Sequence, residues 1–152
     1  LVTKLIAGNQ SILLMADAGY AREQTLLTNP IYRNALASSM LRIGHHASKH
    51  ATSAEFLSAV SPQYAIISTG KPNRGRSNEL GYPAYETLQL LNSHFNSRFG
   101  EDSTGIQMQV CRTEYDLCRP ATVSVNSRIL SSQTLGTISL GIEQNAICRV
   151  KP

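Results

Sequence analysis

The sequence predicts a single mixed α/β (α+β) domain over residues 1–152. Short apolar runs of strand length alternate with segments that carry helix start and stop signals. Hydrophobic residues make up 41% of the chain and charged residues 16%, as in globular domains, and a chain of this length can bury an adequate core. No apolar run approaches the roughly 20 residues that a membrane-spanning helix requires.

The first third of the chain is predicted to form three strands and one helix. Residues 2–7 and 11–16 have the composition of two short strands joined by a glycine-containing turn. A helix is expected over residues 21–27, and it ends before Pro30 because a residue that precedes proline is disfavoured in the α region. Residues 40–44 are an apolar run that predicts a buried strand.

The middle of the chain is predicted to contain two helices that flank a strand and a long loop. Thr52 and Glu55 form a capping-box pattern, so a helix is expected to begin there. Residues 64–68 are apolar and β-branched, as a sheet interior requires. Residues 70–83 are rich in Gly, Pro, Asn and Arg and form a candidate substrate loop. The second helix is expected over residues 84–94.

The tail of the chain is rich in predicted strands. Residues 106–111, 121–125, 135–140 and 146–150 have strand character, with Ser, Thr, Asn and Gly between them. These strands are expected to complete an antiparallel sheet.

The three cysteines of the chain are compatible with two interpretations. Cys111 and Cys118 flank a turn-like segment, and their spacing is not that of a zinc knuckle. A hairpin disulfide in an oxidising compartment and buried reduced thiols are both consistent with this pattern. The sequence leaves the compartment open.

The net charge is +4, and ten of the fourteen basic residues are arginine. Because the charges are dispersed, one interpretation is a solvated surface. The other is contact with a polyanion, since arginine binds phosphate bidentately. Lys71, Arg74 and Arg76 form a denser cluster that favours the second interpretation locally.

Two predicted strand ends carry side chains that suit a divalent metal. Asp17 follows one strand, and His45 and His46 follow another. A carboxylate and an imidazole suit a borderline-soft cation such as zinc. Because side chains alternate along a strand, one of the two histidines is expected to point into a cleft. The alternatives are a helix-capping or exposed aspartate and exposed histidines.

These residues and their surroundings resemble the C-terminal half of a metallo-β-lactamase-fold hydrolase, and in particular the soluble domain of ComEC-type DNA-uptake competence proteins. Residues 1–17 are similar to the strand–turn–strand that ends in the family's Thr-Gly-Asp motif. Residues 43–68 resemble its His-His-Gly-Ser-Lys, helix and strand block. Residues 70–88 resemble its Gly-Lys-x-Asn-Arg and Gly-His-Pro-His-Pro-Glu motifs. The match covers residues 1–91, whereas residues 92–152 match only weakly.

The resemblance implies a catalytic metal centre. Asp17 corresponds to the carboxylate that bridges two metal ions, and His46 to the last histidine ligand, so both are expected to be catalytic. His45 is expected to be a further ligand or to orient Asp17 or His46. The implied cofactor is a divalent metal, with zinc favoured and manganese as the alternative.

The resemblance also implies residues that contact the substrate. Ser48 and Lys49 lie where the family meets a phosphate, although Lys49 is also interpretable as an exposed surface residue. Asn73 and Arg74 match the Asn-Arg pair, and capping of the loop by Asn73 is the alternative. Tyr82 is placed with this group.

Four positions depart from the family pattern. Tyr82 and Ala84 replace histidines, and a phenol is a poorer base than an imidazole at neutral pH. Ala47 and Ala16 replace glycines in turns where glycine permits a positive φ. The motif His-x-His-x-Asp-His is also absent from this chain. Weak metal binding by this chain alone is therefore expected, with the remaining ligands supplied by a missing N-terminal half or by a second chain.

The leading functional hypothesis is a part of a metal-dependent hydrolase that acts on phosphodiesters, DNA in particular, during competence-related uptake. The parent is expected to be anchored in the bacterial cell envelope with this part as a soluble domain, and a cytoplasmic location is the alternative. Two other functions stay open, namely an inactive nucleic-acid-binding or scaffold module and a phosphoesterase for small or lipid substrates.

The implied architecture is one half of an αββα sandwich, with a mixed, largely antiparallel sheet and helices on its outer face. Half a sandwich leaves an apolar sheet face uncovered, so a homodimer or strand exchange is expected if the chain is alone.

Overall fold

The computed structural model describes residues 1–70, 81–102, 105–114, 117–143 and 146–150. A mixed α+β fold is observed, as predicted. A 3-10 turn at Gly44–Ala47 follows the third strand. In chain order the elements are β1 (Thr3–Ala7), β2 (Gln10–Leu14), α1 (Tyr20–Thr28), α2 (Pro30–Ala35), β3 (Met40–Arg42), α3 (Ala54–Val60), β4 (Tyr64–Ile67), α4 (Tyr85–Phe99), β5 (Ile106–Glu114), β6 (Leu117–Val125), β7 (Ile129–Ser131), α5 (Ser132–Leu135), β8 (Ser139–Glu143) and β9 (Ala146–Val150).

A five-stranded sheet with the order β1-β2-β3-β4-β7 forms the centre of the fold. The hairpin β1–β2 is antiparallel, whereas β2, β3, β4 and β7 are mutually parallel neighbours. The separate hairpins β5–β6 and β8–β9 supply further antiparallel pairing. Because four parallel strands all end at the same edge of the sheet, the segments that follow them converge there.

One face of this sheet is buried in the hydrophobic core. Register places Leu13, Leu41, Ala65 and Ile129 side by side, and all four are buried. By the alternation of side chains, the other face carries Leu5, which is 54% exposed, and the partly exposed residues Ile12, Leu14 and Ile66. Helix residues in the same core cluster are Leu27, Phe56, Leu57, Val60, Leu88, Leu91 and Phe95.

Helix α2 was not predicted from the sequence. Pro30 is its first residue, a position that proline tolerates because the missing N–H has no helical partner there. The Asn29 side chain accepts hydrogen bonds from the backbone N–H groups of Ile31 and Tyr32. The same Asn-Pro pair that ends α1 therefore also begins α2.

The tail differs from its prediction in two elements and in its pairing, because the hairpins β5–β6 and β8–β9 are separate sheets rather than parts of one antiparallel sheet. The strand predicted over residues 135–140 is instead the end of α5, a turn and the start of β8. The three-residue strand β7 was missed because all of its residues are buried, which removes the alternation that identifies a strand. The predicted strands at residues 106–111 and 121–125 are parts of the longer β5 and β6.

Cys111 and Cys118 form a disulfide that links β5 to β6. The Cα atoms of the two residues are 5.3 Å apart. The structure thus agrees with the hairpin disulfide rather than with two separate reduced thiols. Among the described residues, every helix is too short or too polar to span a lipid bilayer.

The N-terminus of α3 is capped by two side chains, neither of which is the predicted Thr52. The Ser53 hydroxyl accepts a hydrogen bond from the backbone N–H of Phe56. Glu23 of α1, only 1% exposed, accepts the N–H of Thr52 at 2.5 Å and that of Ser53 at 2.8 Å. Thr52 itself has a left-handed backbone with a φ of 67°.

Replacing Glu23 by alanine is expected to destabilise the fold by about 2–4 kcal/mol, because two backbone N–H groups lose their acceptors. Denaturant unfolding of Glu23→Ala measures the loss. Glu55→Ala removes an exposed carboxylate from the first turn of α3 and is the matched control. Equal stability of the two variants would contradict the capping role of Glu23.

Candidate functional site

The candidate site is a cleft of about 600 Å³ at the edge where the parallel strands end. Asp17 follows β2, the two histidines follow β3, Ser68 follows β4 and Ser132 follows β7. The sequence singled out candidate metal ligands only at the first two of these strand ends, and it predicted a substrate loop after the third. The cleft is lined by Asp17, His45, His46, Ser68, Thr69, Gly70, Tyr82 and Ser132.

Asp17 and His46 face each other across this cleft, as the sequence predicted. Asp17 Oδ1 is 3.9 Å from His46 Nε2, and the side chains are 74% and 41% exposed. His46 Nδ1 lies 2.5 Å from the carbonyl oxygen of Ser68. Since a carbonyl can only accept, Nδ1 carries the hydrogen, and in the neutral ring the Nε2 lone pair is directed toward Asp17. This is the arrangement by which proteins orient a histidine that binds a metal.

His45 lines the cleft together with His46. The two residues lie in a turn with left-handed backbones (φ 44° and 55°), where the alternation of a strand does not apply. His45 Nε2 is 3.0 Å from the Tyr82 hydroxyl, and the His46 ring stacks on Tyr82 with centroids 5.9 Å apart. Tyr82 therefore contacts both imidazoles.

The turns around the site hold four non-glycine residues in left-handed conformations. They are Ala16, His45, His46 and Ala47, with φ between 44° and 63°. Such a conformation costs an L-residue roughly 1–2 kcal/mol. The sequence-based argument that Ala16 and Ala47 occupy turns suited to glycine is thus confirmed by their dihedrals. The backbone N–H of His45 donates to the Ala16 carbonyl at 2.8 Å and joins the two turns.

Two further contacts hold the histidine turn in place. Gly44 lies so close to the Ala18 carbonyl that a Cβ atom would clash with it, which explains the glycine. On the other side, the Ala84 N–H donates to the carbonyl of Ala47 at 2.9 Å. The turn is therefore fixed between the loop after β2 and the segment that precedes α4.

The segment after β4 is held by residues of the tail that the sequence did not single out. The Ser132 hydroxyl accepts the Thr69 N–H and donates to the Thr69 carbonyl, both at 2.9 Å. Gln133 donates to the Gly70 carbonyl at 2.8 Å. These bonds position the adjoining Ser68 carbonyl that orients His46. No periodic or motif signal in the sequence marks Ser132 or Gln133.

A second cleft of about 850 Å³ adjoins Asp17 and is lined in part by Tyr20, Arg22 and His50. Burial, and then the negative charges of Glu23 and Glu86, raise the pKa of Tyr20. Its hydroxyl stays protonated and donates to the Lys49 carbonyl at 2.9 Å. Asp17 thus lines both clefts.

Ser48 and Lys49, which were predicted to contact phosphate, lie outside the cleft that contains Asp17 and His46. Ser48 is only 3% exposed, its hydroxyl accepts the His50 N–H, and its carbonyl accepts the Thr87 hydroxyl. Lys49 is exposed but does not line the cleft that contains His46. In this arrangement Ser48 supports the turn rather than facing a ligand.

The predicted substrate loop is described only at its two ends. Gly70 and Tyr82 line the cleft, so the loop at residues 70–83 begins and ends at the site. Asn73 and Arg74 lie outside the described residues, and their predicted phosphate contacts stay predictions.

Within the described part of the chain, no group of three or more His, Cys, Asp or Glu side chains is arranged to hold a metal ion. The pair Asp17 and His46 fits one part of such a site, because the two donors face each other and the His46 ring is oriented through Nδ1. Stable zinc sites have three or four protein ligands. Asp17 and His46 are two candidate donors, fewer than that number.

Comparison with known proteins identifies competence-related homologues. The chain is 35% identical over 94 residues to "ComE operon protein 3" of Bacillus subtilis, which covers 62% of the chain and 11% of that protein. It is 38% identical over 72 residues to "Competence protein ComA" of Neisseria gonorrhoeae, and this match covers 47% of the chain and 10% of that protein. "Recombination protein 2" of Haemophilus influenzae is 34% identical over 104 residues, covering 68% and 11%.

The chain spans about a tenth of the length of these relatives. No family model matches the chain. No solved structure matches it significantly.

Replacing Ala16 by glycine is expected to stabilise the fold by about 0.5–1 kcal/mol, because glycine adopts the left-handed conformation without the Cβ clash. Ala16 is exposed, so little packing is lost. Thermal or denaturant unfolding measures the gain. The same substitution at the exposed helical residue Ala21 is the control and is expected to lower stability. A destabilised Ala16→Gly protein would contradict strain at this turn.

Ser132→Ala is expected to release the segment after β4 and let the His46 ring sample both tautomers, because the Ser68 carbonyl is no longer held. Long-range proton–nitrogen NMR of the imidazole reports which ring nitrogen carries the hydrogen. Ser132→Thr, which keeps the hydroxyl, is expected to restore the wild-type spectrum. Ser127→Ala, at an exposed position before β7, is the control. An unchanged His46 spectrum in Ser132→Ala would contradict this positioning role.

Proposed function

We propose that this domain is part of a metal-dependent hydrolase that acts on phosphodiesters of DNA during competence-related uptake. The observation that carries the proposal is the Asp17–His46 pair, in which Nδ1 of the imidazole donates to a backbone carbonyl and Nε2 faces the carboxylate. Competence-related homologues support the biological setting and the choice of DNA.

Asp17 and His46 would hold a divalent metal, with zinc favoured over manganese by the imidazole. The bound metal would activate a water molecule and offset charge on the phosphoryl oxygens. His45 could complete the set only if Tyr82 released its Nε2. Further ligands would come from another region of a longer protein, such as an N-terminal half of the same domain, or from a second chain, and a homodimer is one such arrangement.

Tyr82 is proposed to contact the substrate. Its hydroxyl is 3.0 Å from His45 Nε2, and its ring lies against His46 at the cleft surface. A phenol in this position can donate a hydrogen bond to a phosphoryl oxygen while His45 holds its orientation. Tyrosine would thus serve as a binding group where the resembling family has a histidine.

We place the domain at the bacterial cell envelope, as part of a membrane-anchored protein. The relatives are about nine times as long as the matched segment, which leaves room for other domains. The Cys111–Cys118 disulfide is typical of proteins in oxidising compartments, and it favours the side facing away from the cytoplasm.

A second candidate function is a nucleic-acid-binding or scaffold module without catalysis. The tyrosine at position 82 and the limited donor set of the described residues favour it. Such a module binds DNA without divalent metal and with strong salt dependence. A metal requirement for binding would argue against it.

The test of the proposed function compares Asp17→Ala and His46→Ala with wild type in the longer parent protein. Both variants are expected to lose bound zinc and to hydrolyse DNA at least about 100-fold more slowly, by loss of metal activation. Elemental analysis and a nuclease assay are the measurements. Glu101→Ala, which removes an exposed carboxylate away from the cleft, is the control.

Unchanged metal content and activity in Asp17→Ala would overturn the proposed function. A small phosphodiester, bis(p-nitrophenyl) phosphate, is assayed in parallel with DNA. Hydrolysis of the small ester with none of DNA would support a small-molecule phosphoesterase instead.

A further inference from the structure

We infer that Arg42 is a positioning residue for Asp17, the carboxylate of the candidate site. The Arg42 side chain donates from Nη1 to the Ala16 carbonyl at 2.9 Å, and so links β3 to the turn that follows β2. Arg42 does not itself line the cleft. The consequence for metal binding rests on the proposed function, whereas the effect on the geometry of Asp17 does not.

Asp17 lies in the middle of a β-turn. The Ala18 N–H donates to the Met15 carbonyl at 3.0 Å, so Ala16 and Asp17 are the two central residues of this turn. The Asp17 side chain is 74% exposed, and little packing fixes its position. The direction of the carboxylate therefore depends on the backbone of the turn, and above all on the peptide group that joins Ala16 to Asp17.

This peptide group is held through its carbonyl. Because a peptide group is planar, the Ala16 carbonyl and the Asp17 N–H rotate together. The Arg42 side chain and the backbone N–H of His45 both donate to that carbonyl, at 2.9 Å and 2.8 Å. A carbonyl oxygen has two lone pairs, and both are engaged here. Rotation of the peptide group would break two hydrogen bonds, of which the one from the guanidinium is charge-assisted.

The place of Arg42 in the sheet lets its side chain reach the turn. In the parallel pair β2–β3, Arg42 lies beside Leu14, the last residue of β2. Its backbone carbonyl also accepts the Met15 N–H, at 3.4 Å. Ala16 has a φ of 49°, which is unfavourable for alanine, so the turn needs contacts that maintain it. Arg42 supplies two of them.

Strand β3 thus contributes to both sides of the candidate site. The histidine turn follows it directly, and Arg42 at its end holds the turn that contains Asp17. Asp17 Oδ1 and His46 Nε2 are 3.9 Å apart, and this separation depends on both turns. If these two donors bind one metal ion, as proposed, then loss of the Arg42 contact weakens that binding.

The test uses Arg42→Gln in the 152-residue chain without metal. The glutamine side chain is two bonds shorter and does not reach the Ala16 carbonyl. The three-bond NMR coupling between the amide and α protons of Asp17 reports its φ and is expected to change. The His45 amide should exchange its hydrogen at least about fivefold faster, because its acceptor is no longer held. Arg42→Lys keeps a charged donor and is expected to restore both values.

Arg128→Gln is the matched control. Arg128 is also partly exposed and donates to a backbone carbonyl, that of Gln63, away from the cleft. Its replacement is expected to leave the Asp17 coupling and the exchange of the His45 amide unchanged. The same absence of change in Arg42→Gln would overturn the inference.

The wild-type protein supplies a second measurement, which does not depend on the folding of a variant. Rotation about the Nε–Cζ bond, followed by NMR of the guanidinium nitrogens, is expected to be slower in Arg42 than in Arg33, which is exposed in α2. Equal rates in the two side chains would also overturn the inference.

Zinc binding by the longer parent protein separates this inference from the proposed function. Arg42→Gln is expected to raise the Kd for zinc at least about tenfold, with recovery in Arg42→Lys, and competition with a chromophoric chelator is the measurement. A changed Asp17 coupling with an unchanged zinc Kd would support the positioning role of Arg42 and contradict the proposed metal role of Asp17. An unchanged coupling overturns the inference whatever the zinc affinity.

Discussion

The hydrogen bond from His46 Nδ1 to the Ser68 carbonyl is the interaction on which the site depends. It connects the ends of two adjacent parallel strands, β3 and β4, and directs Nε2 toward Asp17. Several of the backbone contacts described around the cleft hold one of the two ends of this bond in place. The histidine turn is held by Ala16 and Ala84, and the carbonyl is held through the segment that Ser132 binds.

The parallel order of β2 and β3 explains why the candidate site residues could be grouped from the sequence. Apolar runs that end in Asp17 and in His45-His46 predicted two strands with polar ends, and the fold places those ends at one edge. The central helices and β4 were also predictable, because apolar residues at helical spacing and a β-branched run mark them. The pattern of apolar residues that predicts each of these elements lies within a few neighbouring positions of the sequence.

The rest depends on contacts between distant parts of the chain. Ser132 forms hydrogen bonds with Thr69, which lies 63 positions earlier in the chain, and no local sequence pattern predicts such a partner. The orientation of both histidines into the cleft follows from left-handed dihedrals, which packing imposes on residues that would ordinarily avoid them. The cap on α3 shows the same effect, since Glu23 of another helix supplies it from 29 residues away.

The edge position of β7 has a consequence for the timing of assembly during synthesis. This strand is the last to join the central sheet in chain order, and the side chains that close the cleft follow it immediately. A ribosome must therefore translate past residue 133 before the imidazole at position 46 acquires its final orientation. Nascent chains that stop earlier contain both histidines and Asp17 but lack the Ser132 and Gln133 hydrogen bonds that hold the segment after β4. Such long-range pairings form late in folding.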